Sequence, residues 1–181
     1  MGAKPDWWIR KMCQGESPMI EPFSERVAGP GIVSSGLDSA GYDACLSPRI
    51  KIFDWAKAHG KPIDPLSLDP EFYFEKSVDG TFFLIPPRGF ILAETVEYFR
   101  IPKDIKGLGH PKTTYTRVGL GLNIASINPG WKGRLQLHVS NNTPCPIIVR
   151  PRMGFIQIEF REIDGEVERD YSQLPGTRFQ G

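Results

Sequence analysis

The sequence predicts a mainly β fold with a short N-terminal helix, and three observations support this. The chain contains 19 glycines and 17 prolines, about a fifth of its residues, and both residue types interrupt long helices. Hydrophobic residues make up 40% of the chain, which is enough for a buried core and too many for a disordered protein. Apolar and polar residues alternate along several short segments, as they do in half-buried strands. Short strands separated by turns are typical of β-sandwiches and barrels.

The length of the chain predicts one domain over residues 1–181. A helix is expected at 6–14, because Asp6 can cap it and Gly15 can end it. Residues 1–38 would form this helix and an irregular arm, residues 39–160 the β core, and residues 161–181 a tail. The tail has few aliphatic residues, so it is either disordered or ordered by docking on something polar.

Charge and hydropathy exclude some partners. The formal net charge of +1 gives no electrostatic argument for a nucleic-acid or membrane partner. No apolar run approaches the roughly 20 residues that a membrane span needs. The N-terminus carries Asp6, Trp7 and Trp8 where a secretory signal needs a basic and then an apolar run. We therefore expect a cytoplasmic protein.

The cysteine and histidine positions argue against disulfides and zinc. The three cysteines are odd in number and widely spaced, so we expect buried thiols rather than a disulfide framework. A zinc-dependent deaminase needs His-x-Glu and Pro-Cys-x-x-Cys motifs, and neither is present. The three histidines are scattered, so a zinc site is not expected.

Residues 107–139 contain the densest set of candidate functional residues. A strand is expected at 119–127 and another at 134–139, because apolar residues alternate in both. Pro129-Gly130 between them favours a type II turn, which makes the pair a β-hairpin. Arg134, Gln136 and His138 would share the face opposite the leucines of the second strand.

Side chains in and before this hairpin suggest chemical roles. Lys112, Thr113 and Thr114 supply an ammonium group, two hydroxyls and backbone N–H groups, a set that suits phosphate oxygens. The Gly-x4-Gly-Lys spacing of a Walker loop is absent. Arg117 is either a structural ion-pair partner or a site cation. His138 is either a solvent-facing strand residue or a general base, since imidazoles exchange protons near neutral pH.

Three further polar residues also have two interpretations each. Asn123 and Asn128 serve either turn chemistry or the reading of a base edge or sugar hydroxyl. Asp43, in the segment Ser39-Ala-Gly-Tyr-Asp43, either bonds its own backbone in a turn or lines a strand running to Leu46.

Several motifs together resemble the dCTP deaminase and dUTPase superfamily, most closely its bacterial dCTP deaminase branch. The family motif Gly-Lys-Ser-Thr-Tyr-Ala-Arg-Cys-Gly has its counterpart in Pro111-Lys-Thr-Thr-Tyr-Thr-Arg117-Val-Gly119. Pro129-Gly-Trp-Lys-Gly133 and Ser140-Asn-Asn-Thr-Pro144 also match. Similarity extends over most of the chain, at 8–10, 19–23, 95–102 and 178–181.

This resemblance implies a distorted β-barrel or jelly-roll of dUTPase-like type, assembled as a homotrimer with active sites at subunit boundaries. It implies a pyrimidine deoxynucleoside triphosphate substrate with Mg²⁺ on its phosphates, no metal bound directly by the protein, and no zinc. A C-terminal lid would close over the triphosphate. The implied nucleotide-binding residues are Lys112, Thr113, Thr114, Asn123, Ala125, Asn128, Trp131, Gln157, Tyr171, Arg178 and Gln180. The implied catalytic residues are Arg117, His138 and Thr113.

Three positions depart from the family pattern. In the deaminases a strand Glu moves protons as water attacks the cytosine ring, and here that position is His138. In dUTPases an Asp in the hairpin turn orients the attacking water, and here that position is Asn128. The phosphate-loop Ser is Thr113 in this chain.

Three hypotheses follow. The first is a zinc-independent dCTP deaminase that converts dCTP and water to dUTP and ammonia, with His138 as proton carrier and Arg117 positioning water. The second is a dUTPase-like diphosphatase acting on dUTP or a modified pyrimidine triphosphate. The third is a nucleotide-binding regulator without catalysis, since both family carboxylates are replaced.

Overall fold

The computed structural model describes residues 2–78 and 82–174. In this part of the chain the strands are β1 (Ile20–Glu21), β2 (Gly36–Asp38), β3 (Gly41–Phe53), β4 (Tyr73–Ser77), β5 (Phe83–Ile85), β6 (Phe90–Arg100), β7 (Ile105–Pro111), β8 (Leu120–Ile124), β9 (Lys132–Asn141), β10 (Ile147–Val149) and β11 (Gly154–Glu162). The α-helices are short: α1 (Asp6–Met12), α2 (Trp55–Ala58) and α3 (Thr113–Thr116). Two 3₁₀ turns lie at Pro70–Phe72 and Tyr171–Gln173. Strand therefore dominates, as expected.

Nine of the described strands form an antiparallel sheet that curls almost closed, and β5 pairs with β10 in a separate two-stranded sheet. The main path of the nine-stranded sheet is β7-β11-β3-β6-β9-β8, with β1 added to β6, and β2 and β4 added to β3. The two ends of this path approach each other, because Gly107 bridges Ile127 beyond the end of β8. Gly109 lies so close to Ile124 that a Cβ atom on Gly109 would be 2.8 Å from that side chain. This arrangement confirms the distorted barrel expected from the sequence.

Period-2 alternation explains how the barrel fills. In β6 every second residue from Ile91 to Phe99 is buried, and in β9 every second residue from Gly133 to Asn141. Each large aliphatic or aromatic side chain removed from water in this way stabilises the fold by roughly 1.5–3 kcal/mol. The alternate residues face outward, which leaves polar side chains of β8 and β9 available at the surface.

The structure shifts several boundaries. The helix α1 ends at Met12 instead of Gln14, and Pro5 occupies its N-cap position while Asp6 accepts the Trp7 N–H. The strands β1 and β2 lie within residues 1–38, which the sequence assigned to a helix and an irregular arm. The hairpin turn is as expected: Gly130 has φ of 75°, and the Trp131 N–H donates to the Asn128 carbonyl.

Two buried polar residues of β6, Thr95 and Glu97, lie where the ladder is interrupted. Residues 95–97 of β6 face the single residue Leu135 of β9, which forms a β-bulge. The Leu135 N–H donates to Thr95 Oγ1 at 3.0 Å, and the Cys45 N–H donates to both carboxylate oxygens of Glu97, at 3.1 and 2.9 Å. A buried N–H without a partner costs about 1–3 kcal/mol. The two side chains therefore replace backbone acceptors that the bulge removes.

Glu97 couples the fold to pH. Burial raises its pKa to about 7, because the N–H groups and Arg134 offset only part of the cost of desolvation. In the unfolded chain the same carboxyl is hydrated and ionises near its usual value of 4.5. Between these values the folded state holds a proton that the unfolded state has lost. This contribution to stability is fully present below the unfolded pKa and is lost as pH rises through the folded one.

The variant Glu97→Gln is expected to remove this dependence, because Gln still accepts the Cys45 N–H and does not ionise. Its free energy of unfolding should rise by roughly 3 kcal/mol relative to wild type between pH 5 and pH 8. Urea denaturation of both proteins at the two pH values measures the change. A constant difference between the two proteins would show that another group causes the pH dependence.

Candidate functional site

The Lys112 side chain is anchored to the central strand β3. Strand β7 ends at Pro111, and Lys112 occupies the N-cap position of α3. The Lys112 Nζ donates to Asp43 Oδ2 at 2.5 Å and to Ser34 Oγ at 3.1 Å. Asp43 is only 1% exposed, so the ion pair is largely buried. Asp43 therefore lines a strand, which is the second of its two interpretations.

A second cation reaches the same carboxylate from the N-terminal arm. Arg26 Nη1 lies 3.3 Å from Asp43 Oδ2 and 3.3 Å from Asp38 Oδ1, and Arg26 Nη2 donates to Ser34 Oγ. From β11, Gln157 Nε2 donates to Asp38 Oδ2 at 2.8 Å. These residues form one connected group with Lys112. We call it the Lys112 cluster, and its members are Arg26, Ser34, Asp38, Asp43, Lys112 and Gln157.

The Lys112 cluster is nearly balanced in charge and holds the start of α3 in place. Its two cations face two carboxylates, and the arm that carries Arg26 folds back on itself through paired Val27 and Ser35 backbones. Asp43 Oδ1 is buried and accepts no hydrogen bond within the described residues. Because a buried ion pair stabilises only when its geometry is good, the carboxylate limits the positions that Lys112 can take.

The other polar side chains of residues 111–117 are exposed. Thr113, Thr114 and Arg117 all face solvent, while Tyr115 packs against Phe155 with ring centroids 4.3 Å apart. Tyr115 is half-buried on the opposite side of α3, and the loss of hydration raises its pKa to about 12. Arg117 makes no ion pair within residues 2–78 and 82–174. The geometry is thus that of two hydroxyls and a guanidinium presented outward beside an anchored lysine, which suits an anion.

His138 lies on the outer face of the hairpin, on the wall of a cavity of about 530 Å³. It is directly opposite Asn123 on β8 and Leu92 on β6. The cavity is mainly apolar with a few polar groups, as ligand sites usually are. Its lining residues are Leu92, Asn123, Ile124, Ala125, Gln136, Leu137 and His138.

Two neighbours orient the His138 ring. The Asn123 amide nitrogen lies 3.4 Å from His138 Nδ1, and the Phe90 ring lies 5.0 Å from the imidazole, centroid to centroid. An amide NH₂ only donates, so in this contact Nδ1 is the acceptor. The neutral ring then carries its proton on Nε2, the nitrogen that Asn123 leaves free.

A second cavity of about 200 Å³ adjoins the first and shares Ile124, Ala125 and Gln136 with it. Trp131 and Tyr171 close its other side. The Tyr171 N–H donates to the Pro129 carbonyl, which attaches the beginning of the tail to the hairpin turn. The tail residue Tyr171 thus contacts the hairpin turn, and residues 175–181 lie outside the described residues.

The structure divides the predicted site residues into two groups. The first group lies in or beside the Lys112 cluster: Lys112, Thr113, Thr114 and Gln157. The second group lines the joined cavities: Asn123, Ala125, Trp131, His138 and Tyr171. Asn128 lies at the turn, where its Oδ1 accepts the Ser126 hydroxyl at 3.2 Å. Arg178 and Gln180 lie outside the described residues, and the roles of all these residues remain predictions.

Sequence reasoning did not single out several residues of these groups. Gln136 lines both cavities, and alternation had placed it on the same face as His138. The alternation along β9 therefore indicated that Gln136 faces the site, although Gln136 was not among the predicted site residues. Arg26, Ser34 and Asp38 join Lys112 only through the folding of the arm, and no local motif indicates that contact.

The described residues contain neither a grouped set of metal ligands nor a membrane-crossing helix. Across residues 2–78 and 82–174, no three His, Cys, Asp or Glu side chains are grouped so that they could hold a metal ion. No helix in the same residues has the length and apolar character needed to cross a membrane.

The buried ion pair predicts a difference between two carboxylate variants. Asp43→Asn should lower the free energy of unfolding by about 3 kcal/mol, because it leaves two cations without their buried counter-ion. Glu25→Gln removes an exposed pair with Arg10 and should have a much smaller effect, because water screens that pair. Denaturant unfolding of both variants measures this contrast. Equal effects would mean that Asp43 does not anchor Lys112.

Comparison with known proteins identifies the family of this chain. The chain is 40% identical over 179 residues to a dCTP deaminase of Sulfurovum sp. (strain NBC37-1), covering 97% of this chain and 91% of that protein. It is 38% identical over 181 residues to a dCTP deaminase of Paramagnetospirillum magneticum, covering 100% and 95%.

A crystal structure supports the same fold. The 2'-deoxycytidine 5'-triphosphate deaminase from Agrobacterium tumefaciens superposes with a TM-score of 0.65 at 18% identity, covering 89% of this chain. This chain spans 48% of that larger one. Residues 3–163 match the dCTP deaminase-like family as a whole. The family resemblance predicted from the motifs is thereby confirmed: the chain belongs to the dCTP deaminase-like family.

Proposed function

We propose that this protein is a zinc-independent dCTP deaminase that converts dCTP and water to dUTP and ammonia. Near-full-length similarity to proteins named dCTP deaminase supports the reaction class. The observation that carries the proposal is the imidazole of His138 on the wall of a mainly apolar cavity, in contact with Asn123 and Phe90. An oriented acid–base group beside a base-sized cavity is what ring hydrolysis at neutral pH requires.

The reaction assigns a proton-transfer role to His138. Water adds to C4 of the cytosine ring while the imidazole removes one of its protons. The same proton then passes to the 4-amino group, the C4–N bond breaks, and ammonia leaves. Nε2 keeps its own proton, so the lone pair that takes the water proton is that of Nδ1, which the Asn123 amide nitrogen approaches at 3.4 Å. Proton transfer at Nδ1 therefore requires the Asn123 contact to open. Arg117, an exposed cation, would position the water.

The triphosphate would be bound by the residues in and beside the Lys112 cluster. Lys112, Thr113 and Thr114 supply charge and hydroxyl donors for the phosphates. The family resemblance assigns a lid over the phosphates to Tyr171, Arg178 and Gln180, of which the last two lie outside the described residues. Asn128 and Trp131 would contact the deoxyribose of the bound nucleotide. The donor set of residues 112–117 contains no carboxylate, so it fits phosphate oxygens and not a metal. Mg²⁺ therefore enters as part of the nucleotide complex, held by the phosphates themselves.

We further propose a homotrimer in which the two groups meet between subunits. Within one described chain, no member of the Lys112 cluster lines either cavity. Residues 111–117 of one copy would complete the cavity of the next, and closed rotational symmetry would repeat that contact three times. A cytoplasmic location remains a prediction from the sequence.

Product analysis tests the reaction. The protein is incubated with Mg²⁺ and with dCTP, dUTP or modified pyrimidine triphosphates, and the products are separated by chromatography. Formation of dUTP with ammonia supports the proposal. Release of pyrophosphate would instead indicate a diphosphatase, and tight binding of intact nucleotide would indicate a regulator.

The variant His138→Ala is expected to abolish ammonia release while keeping nucleotide binding, because it removes only the proton carrier. A loss of about 10²-fold or more in kcat is typical for such a group. His59→Ala is the matched control, since His59 follows α2 and lines neither cavity. Unchanged turnover in His138→Ala would rule out this role.

Mixed oligomers test the shared site. Arg117→Ala and His138→Ala should each be inactive alone, whereas co-expressed subunits should regain activity at about a quarter of their interfaces. Turnover of the purified mixture, with light scattering for its mass, measures the effect. A mixture as inactive as its parents would place both residues in a site formed by a single subunit.

A further inference from the structure

Gln136 occupies the point where the cavities of this face meet. Gln136 lines the cavity of about 530 Å³ that His138 also lines, and the cavity of about 200 Å³ that adjoins it. It also lines a third cavity of about 510 Å³, which extends over β3 and β4. It precedes His138 by two residues on β9, so both side chains project from the same face, roughly 7 Å apart along the strand. A ring bound beside His138 therefore lies within reach of Gln136.

A neighbouring carboxylate orients the Gln136 amide. Glu94 is its cross-strand partner on β6, and Gln136 Nε2 lies 3.5 Å from Glu94 Oε2. Glu94 is in turn held by Arg49, whose Nη2 donates to Glu94 Oε1 at 2.9 Å. An ionised carboxylate only accepts hydrogen bonds, so the amide must face it with NH₂ and not with its oxygen.

This orientation leaves a defined pair of groups for a ligand. One N–H of the amide is directed to Glu94. When the N–H on the side away from the carbonyl is the one that faces Glu94, Oε1 and the other N–H lie side by side and can pair with a ligand. An acceptor next to a donor matches the edge of a ring that carries an amino group beside an unprotonated ring nitrogen. Cytosine has that edge, with a donor at N4 and an acceptor at N3.

Uracil presents the opposite edge, with an acceptor at O4 and a donor at N3. To match it, the Gln136 amide would have to turn over. Its carbonyl oxygen would then face the Glu94 carboxylate, and the two acceptors would repel each other. The Arg49–Glu94 pair thus keeps the amide from adapting to an oxo base.

We propose that Gln136 is a specificity-determining residue that selects a 4-amino pyrimidine, with Glu94 as the positioning residue that fixes its amide. The inference rests on the proposed function and adds the group that distinguishes the substrate base from the product base. Selection by an oriented hydrogen-bonding pair also favours release of the product, because deamination replaces the matching edge with the mismatched one.

Equilibrium binding tests the proposal without requiring turnover. Affinities for dCTP and dUTP are measured with Mg²⁺ by titration calorimetry in a His138→Ala background, with chromatography to verify that each nucleotide stays intact. The parent should prefer dCTP by about tenfold or more, as expected for a paired donor and acceptor. Gln136→Leu, of similar size, should reduce that preference to about twofold or less.

A second variant separates orientation from general damage. Glu94→Gln leaves Gln136 in place and frees its amide to turn, so the affinity for dUTP should increase. Damage to the fold would lower the affinity for both nucleotides and would not raise the affinity for dUTP. Lys51→Gln is the matched control, because Lys51 lies on the same face and pairs with the exposed Glu75. It should leave the dCTP to dUTP ratio unchanged.

The outcomes distinguish this inference from the proposed function. A dCTP preference that survives in Gln136→Leu, or a parent without preference, overturns the role of Gln136. If Gln136→Leu loses the preference for dCTP but the wild-type protein does not deaminate dCTP, the proposed reaction is rejected and the role of Gln136 in base selection stands. Failure to bind either nucleotide rejects both.

Discussion

The position of Lys112 depends on a carboxylate that folding has removed from water. Asp43 lies 69 residues earlier in the chain, in the central strand, and its charge is offset by Lys112 and Arg26. A buried carboxylate is tolerated only with such partners, so the strand, the arm and the start of α3 must come together as a unit. The hydroxyls of Thr113 and Thr114 and the guanidinium of Arg117 are then presented before any ligand arrives. Such preorganisation lowers the cost of binding a flexible triphosphate.

The elements that sequence reasoning predicted are those encoded by local patterns. Alternation identified β8 and β9, although β8 ends at Ile124 and not at Ile127, and Pro129-Gly130 identified the turn that joins them. The same period correctly placed His138 and Gln136 on one face. Motifs of the family then supplied the closed barrel, which alternation alone does not distinguish from a sandwich.

What the sequence left open depends on contacts between distant segments. The arm at 24–35 looks irregular because its order comes from Arg26 and Ser34 reaching across to Asp43 and Lys112, and not from any period of its own. Glu97 falls on a core-facing position of β6, yet only the bulge opposite Leu135 explains why a carboxylate is needed there. Likewise the importance of Gln136 follows from Glu94 beside it, a relation between two strands that no single stretch of residues contains.

The buried carboxyl of Glu97 has a consequence for the thermodynamics of folding. At neutral pH the raised pKa of Glu97 lets the folded chain retain part of a proton on this group, whereas the unfolded chain has released it. Folding is thus accompanied by proton uptake from the buffer, and the apparent enthalpy of unfolding includes the ionisation heat of whichever buffer supplies that proton. Calorimetry in phosphate and in an amine buffer would give different enthalpies for the same transition. The hydrogen ion is, in this sense, a ligand of the barrel interior.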